Sequence, residues 1–380
     1  MWSLPYRALA ARDTVALGFA AVSTQAAQDD VVRTHAEGEA NEREPLLVLD
    51  PLVAFLDAHR LGAGDVEVTP VGDGHSNVTY ALHREGTDVV LRRPPRGPLP
   101  PSAHDVLREA RVLSGLAGRA RVPAVLAVCE DAAVIGAPFY VMERVDGHVV
   151  TSAVPAALDS PDDRRRIGEE LVDALVEVHA VDWRDAGLEG FGKPTGYLER
   201  QLRRFLGLWE HNRTRDIPAV ESVGEWLKTH LPQSGPATVV HGDYRLGNTM
   251  LAPEAPARLV AIFDWEMATI GDPLADVGYL CTLWVDRHDP TGRMFELSGV
   301  TRKDGFPLRE ELVARYEERS GRAMTDISWY RTLALWKSIV FMEGNYKRSM
   351  AGATDDPFLK RFGDGVIELA QRAEELTRGG

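Results

Sequence analysis

Two short segments constrain this chain more than any other part of it: His241-Gly242-Asp243-Tyr244-Arg245-Leu246-Gly247-Asn248 and Ile262-Phe263-Asp264-Trp265-Glu266. Each sets a carboxylate just past a run of β-forming apolar residues, so two strand ends must deliver their side chains into loops. The first segment adds an amide five residues after its Asp, where a tight loop can fold it back. These are the parts that phosphoryl transfer needs: one carboxylate to orient a hydroxyl, and an Asn with a second Asp to hold Mg²⁺ on ATP. Asp243 is therefore the expected catalytic carboxylate, Asn248 and Asp264 the expected metal ligands, and Arg245 a cation placed to stabilise transition-state charge. A loop of capping Asp and Asn residues is the bland alternative. The matched offsets in both segments weigh against it. His241 reads as structural, holding its loop by a hydrogen bond to backbone.

Composition excludes several classes. The chain has 380 residues, 44% hydrophobic and 26% charged, enough for one large or two medium domains with a sizeable core. A net charge of −14 argues against a general nucleic-acid binder. Cys129 and Cys281 make neither a disulfide framework nor a zinc pattern and are expected as buried free thiols, which suits a reducing cytoplasm. No run approaches the ~20 apolar residues of a membrane span. Arg7 and Arg12 ahead of Val15 to Val22 resemble a secretion signal in outline, but Asp13 interrupts the basic region and the apolar run is short. Residues 1–45 are expected as a flexible extension.

From Pro45 the pattern changes. Asp50-Pro51 is expected to start a helix, and Val66 to Val71, Val78 to His83 and Asp88 to Arg93 read as strands. After a proline-rich connector, Ser102 is expected to cap a helix bearing Val106, Ala110 and Leu113. Two more strands follow at Val125 to Val128 and Phe139 to Met142. Beyond Glu143 to Gly147 the chain turns mainly helical. Ser160-Pro161 opens a helix with the stripe Ile167, Leu171, Leu175 and Val178. The expected architecture is α+β and bilobal: a small antiparallel-sheet lobe over 46–142, a hinge at 143–147 and a mainly α-helical lobe over 148–380.

The loop Gly72-Asp73-Gly74-His75-Ser76-Asn77 joins two strands, which excludes the dinucleotide and Walker loops, since both open a helix. It suits a hairpin over phosphates, with Gly74 freeing backbone N–H groups and Ser76 and Asn77 adding polar groups. Arg92 shares a strand face with Val90 and is expected to bind phosphate, with Glu109 on the following helix as its ion-pair partner. Arg93 reads as a solvated neighbour. Asp276 is expected to bond the backbone of the Asp243 loop.

These motifs resemble the aminoglycoside phosphotransferase and choline kinase-like family. The residues that carry the resemblance are Gly74 to Asn77, Leu91-Arg92-Arg93-Pro94-Pro95, Tyr140 to Arg144, His241 to Asn248 and Ile262 to Gly271. The resemblance implies a protein kinase-like fold, ATP and Mg²⁺. It makes Asp243 the catalytic base and Asn248 and Asp264 the metal ligands, and it has the backbone of Met142, Glu143, Arg144 and Val145 receive adenine. Gly242 and Asp264-Trp265-Glu266 depart from the protein kinase H-R-D and D-F-G patterns, which points to a small-molecule acceptor. Arg92 replaces the usual strand Lys, and in this respect the chain is most similar to the kinase-like domain attached to some acyl-CoA dehydrogenases.

The acceptor stays open at this level. A cationic, aminoglycoside-like acceptor would use Asp286, Asp289, Glu343, Asp355 and Asp356. A hydroxyacyl-CoA would use Arg331, Lys337, Lys347 and Arg348. A nucleotide-binding pseudokinase is the alternative from another class, supported by Arg92 alone. Trp329, Tyr330 and Trp336 at helical spacing read as core.

Overall fold

The structure, a computed structural model, describes residues 30–72, 77–97, 104–291, 298–352 and 357–378. Gly74, Ser76, Ser102, Asp355 and Asp356 lie outside the described residues. The chain divides into two compact units, residues 1–148 with 260–266 and residues 149–259 with 267–380.

The first unit has two short strands, β1 (Val31–Val32) and β2 (Leu47–Val48), and a sheet of β3 (Ala63–Val71), β4 (Val78–Glu85), β5 (Thr87–Arg93), β6 (Val125–Cys129) and β7 (Phe139–Glu143), all antiparallel, in the order β3-β4-β5-β7-β6. Strand alternation sorts β5 into two faces. Val89, Leu91 and Arg93 are buried on one side, while Val90 and Arg92 point to the other. On the buried side Leu82, Leu91, Phe139 and Val141 pack with Leu52 and Leu56 of a helix over Leu49–Ala58. That helix begins after Val48, so Asp50 and Pro51 fall within its first turn rather than at its cap. The helix expected to be capped by Ser102 spans Val106–Leu116 and is capped by Asp105, whose carboxylate accepts from the Arg108 N–H at 3.0 Å.

Two readings of this unit are corrected. Arg93 is not a solvated neighbour: it is 2% exposed and donates to the carbonyls of Pro94, Leu46 and Ile135. Structure also begins ahead of Pro45. A strand at Val31–Val32 pairs in parallel with Leu47–Val48, a capping box at Thr34 opens the turn of helix His35–Gly38, and Arg96 holds the Glu44 carbonyl and the Asp30 carboxylate. The polar composition of residues 30–45 hid this, because Arg96, which holds both ends of the segment, lies 52 and 66 positions away.

The second unit is mainly helical. Ser160 caps the helix Pro161–Ala180 and its stripe of Ile167, Leu171, Leu175 and Val178 is buried as the spacing requires. Further helices run over Tyr197–Asn212, Pro218–Thr229, Leu274–Leu283, Arg309–Ser320, Ile327–Met350 and Phe362–Arg378. Trp329, Tyr330 and Trp336 are core. The short strand Thr238–Val240 pairs antiparallel with Thr269–Gly271, which fixes where the chain enters the Asp243 loop. Cys129 and Cys281 are buried free thiols. Among the described residues no helix is long and apolar enough to cross a membrane.

Candidate active site

The Asp243 loop, in the second unit, is held from three directions. Asp276 accepts the N–H of His241 at 2.7 Å with one oxygen and that of Gly242 at 2.8 Å with the other. His241 turns its Nδ1 back to the Asp243 N–H at 3.2 Å, the structural part assigned to it above. The Tyr244 hydroxyl donates to the Leu171 carbonyl at 2.6 Å. Gly242 has φ +87°, and a Cβ there would stand 2.7 Å from the Met267 carbonyl oxygen, so only glycine fits the turn.

That scaffold presents Asp243, Arg245 and Asn248 together. The Asn248 amide donates to both the Asp243 carbonyl and Oδ2, each at 2.8 Å. The Arg245 guanidinium lies 3.7 Å from the same carboxylate. All three side chains are buried, at 7%, 7% and 6% exposure. Because the Asn248 NH₂ is committed to Asp243, its carbonyl oxygen is turned the other way. A hard oxygen oriented by its own amide suits Mg²⁺.

Behind Asp276 stands a residue that pattern reading missed. His179 Nε2 lies 3.3 Å from Asp276 and its Nδ1 accepts the Tyr316 hydroxyl at 2.7 Å. Burial pushes the imidazole below its ordinary pKa against the pull of Asp276. Burial of Asp276 is in turn outweighed by its bonds from His179 and the loop, and its carboxyl is held below the usual range. The only sequence signal for His179 was a polar residue beside the buried stripe of its helix.

The first unit gathers a second set. Arg92 Nε donates to Glu109 at 2.8 Å and its Nη2 to Asp264 at 3.0 Å. Glu109 is 2% exposed, and also receives the Asn77 amide at 3.2 Å, the Tyr140 hydroxyl and the Trp265 N–H. Asn77, expected at the phosphates, thus turns its amide to Glu109. Tyr140 was missed as a site residue; the register that pairs Arg92 with Tyr140 across β5 and β7 brings both to Glu109. Burial works against the Arg92 charge, but Glu109 and, behind it, Tyr140, Asp264 and Glu266 raise its pKa further above its ordinary value. Burial pushes the Glu109 carboxyl up, against Arg92. Asp264 sits at φ +65°, a left-handed conformation that an Asp tolerates better than most residues.

The segment Met142 to Val145 follows from β7. The Glu143 carboxylate accepts the Ala124 N–H at 3.0 Å, and Arg144 pairs with Asp88 and Asp146. The Glu143 N–H is in turn bonded to the Ala124 carbonyl at 2.9 Å. Among the described residues no cluster of three His, Cys, Asp or Glu side chains stands ready to hold a metal alone. Mg²⁺ does not require one, since it keeps several waters and takes one or two protein oxygens beside the phosphates.

A sheet unit with an Arg–Glu–Asp ion network and a helical unit with an Asp–Asn loop define a kinase-like fold. The chain belongs to the phosphotransferase enzyme family, whose model matches residues 67–325. A crystal structure from Ralstonia eutropha, provisionally described as an aminoglycoside phosphotransferase, is 32% identical with a TM-score of 0.76, covering 87% of this chain and 98% of that one. Choline kinase from Cryptosporidium parvum shares the fold alone, at 12% identity and a TM-score of 0.56 over 87% of this chain and 96% of its own. Among curated proteins, acyl-CoA dehydrogenase family member 10 of Mus musculus is 35% identical over 330 residues, and member 11 of Homo sapiens 31% identical over 338, each match covering 86% of this chain. The chain spans only 30% and 43% of the length of those two relatives.

Proposed function

We propose that the protein is an ATP- and Mg²⁺-dependent phosphotransferase acting on a hydroxyl of a small molecule. The observation that carries this is the Asn248 amide locked onto Asp243, which leaves a carboxylate for the acceptor hydroxyl and an oriented oxygen for the metal in one loop. Asp243 orients the hydroxyl and takes its proton as the hydroxyl oxygen bonds to the γ-phosphorus and the bond from that phosphorus to the β–γ bridging oxygen breaks, releasing ADP. Arg245 sets positive charge beside that carboxylate, where charge develops. Asn248 and Asp264 would hold Mg²⁺, which shields the phosphate oxygens. Arg92, fixed by Glu109, addresses the phosphate chain. The backbone of Met142 to Val145 receives adenine.

The acceptor is better read as anionic than as cationic. Asp286 and Asp289 are taken up by Arg309 at 2.8 and 2.7 Å. Glu343 is wholly buried and accepts the Thr214 N–H and hydroxyl at 3.0 and 2.6 Å. On the basic side, Lys337 lines a small cavity with Gly242, Asp276 and Tyr279, and feels the charges of Arg204 and Asp243. Of the other bases expected for an anionic acceptor, Lys347 is bonded to the His211 carbonyl and Arg348 to the Asn345 side chain, so a hydroxyacyl thioester or another hydroxylated anion would be met chiefly by Lys337.

The test is Mg²⁺-dependent ADP release from ATP, run against aminoglycosides, choline-like amines and hydroxyacyl-CoAs, with Asp243→Ala as control. Turnover with one acceptor that vanishes in Asp243→Ala supports the reading. Nucleotide binding with no turnover across acceptors favours the pseudokinase instead.

A further inference from the structure

His104 combines a left-handed backbone with a buried ring nitrogen that has no hydrogen-bond partner. It stands just before the Asp105 cap with φ +56°, one of three non-glycine residues with positive φ among the described residues, the others being Arg60 and Asp264. Such a backbone costs on the order of 1 kcal/mol and persists where the surroundings require it. Here the turn carries the imidazole inward: its side chain is 8% exposed, and it feels the charges of Arg92 and Asp264. Its Nδ1 is buried without a hydrogen-bond partner. The nearest carboxylate oxygen, Glu266 Oε2, is 4.0 Å away, too far to accept. Burial lowers the pKa of the ring, and Arg92 lowers it further, so the imidazole stays neutral at physiological pH, with one donor and one acceptor nitrogen.

A strained backbone that buries a polar ring beside a phosphate-binding guanidinium, and leaves one nitrogen unused, fits a ligand that arrives later. Metal ligation is the weaker use, since Mg²⁺ selects oxygen over imidazole. An N–H donor beside Arg92 suits an anionic oxygen. Resting on the nucleotide reading above, we propose that His104 is a direct contact for the nucleotide's phosphate chain, donating a ring N–H to a phosphoryl oxygen next to Arg92.

The experiment measures affinity for MgATP and for adenosine, which lacks phosphates, by calorimetry on the full chain and on the variants His104→Ala and His104→Asn. Asn tolerates the left-handed backbone and keeps an N–H donor. The expected result is about a tenfold loss of MgATP affinity in His104→Ala, the scale of one hydrogen bond to a charged group. Adenosine affinity should stay unchanged, and His104→Asn should recover most of the loss. Equal weakening of adenosine would overturn the contact and make His104 a support for the fold of this unit. Unchanged MgATP affinity in His104→Ala, with the wild-type chain binding normally, would overturn it while leaving the nucleotide reading intact. A wild-type chain that binds no adenine nucleotide would remove both.

Discussion

Single residues divide the labour. Asp243 is expected to set the chemical step, so Asp243→Asn should lower turnover by about 10²–10⁴-fold while MgATP still binds; single-turnover kinetics and calorimetry separate the two. Glu109 acts through Arg92. In Glu109→Gln the guanidinium keeps Asp264 but loses the other of its two charged partners, and KM for ATP should rise several-fold, with less change in kcat, since the interaction is one made to bound nucleotide. Lys337 offers a pH signature. Burial, with Arg204 adding to it, brings its pKa down to about 8, against the pull of Asp276 and Asp243. As pH rises through 8 the amine loses its charge, so KM for an anionic acceptor should climb across that window and flatten in Lys337→Met. A KM that falls instead would point to a cationic acceptor. What sequence made legible are contacts tied to the motifs: Arg92 with Glu109, and Asp276 and His241 with the backbone of the Asp243 loop. Arg93, Glu343, Tyr140 and His104 were not, because what defines them is burial or backbone strain, and neither leaves a spacing.

At the level of elements, alternation located the five strands of the sheet and a helical stripe located the helix Pro161–Ala180, and the misses have local causes. The helix after the proline-rich connector begins at Val106 because Asp105 caps it, its carboxylate accepting the Arg108 N–H. Residues 30–45 were read as loose because a two-residue strand and a single helical turn are too short to show a period. The Asp243 loop depends on a glycine and a distant carboxylate together. Gly242→Ala would force a methyl group against the Met267 carbonyl at a φ that alanine disfavours. The expected outcome is a displaced loop: turnover falls by at least tenfold, and the midpoint of thermal unfolding drops by a few degrees for a loss of about 1–2 kcal/mol. A crystal structure of the variant with an unmoved Asp243 would contradict this account.

For the whole molecule, ligand linkage gives a readout independent of the acceptor. MgATP at a hundred times its dissociation constant should stabilise the folded chain by about 2.7 kcal/mol, raising the unfolding midpoint of a chain this long by roughly 3–4 °C. Differential scanning calorimetry checks this, and ATP with EDTA should give a smaller shift if Asp264 and Asn248 hold metal. One consequence follows from the Leu91-Arg92-Arg93 stretch. Neighbouring residues of a strand face opposite ways, so Arg92 aims at Glu109 and Asp264 while Arg93, one peptide bond on, grips the carbonyl of Leu46. Whatever tugs at the segment ahead of Leu46, be it a fused tag, a proteolytic cut or a docked neighbour, tugs at the strand that aims Arg92. If Arg92 binds phosphate as proposed, ATP affinity then becomes a gauge of tension on the segment ahead of Leu46.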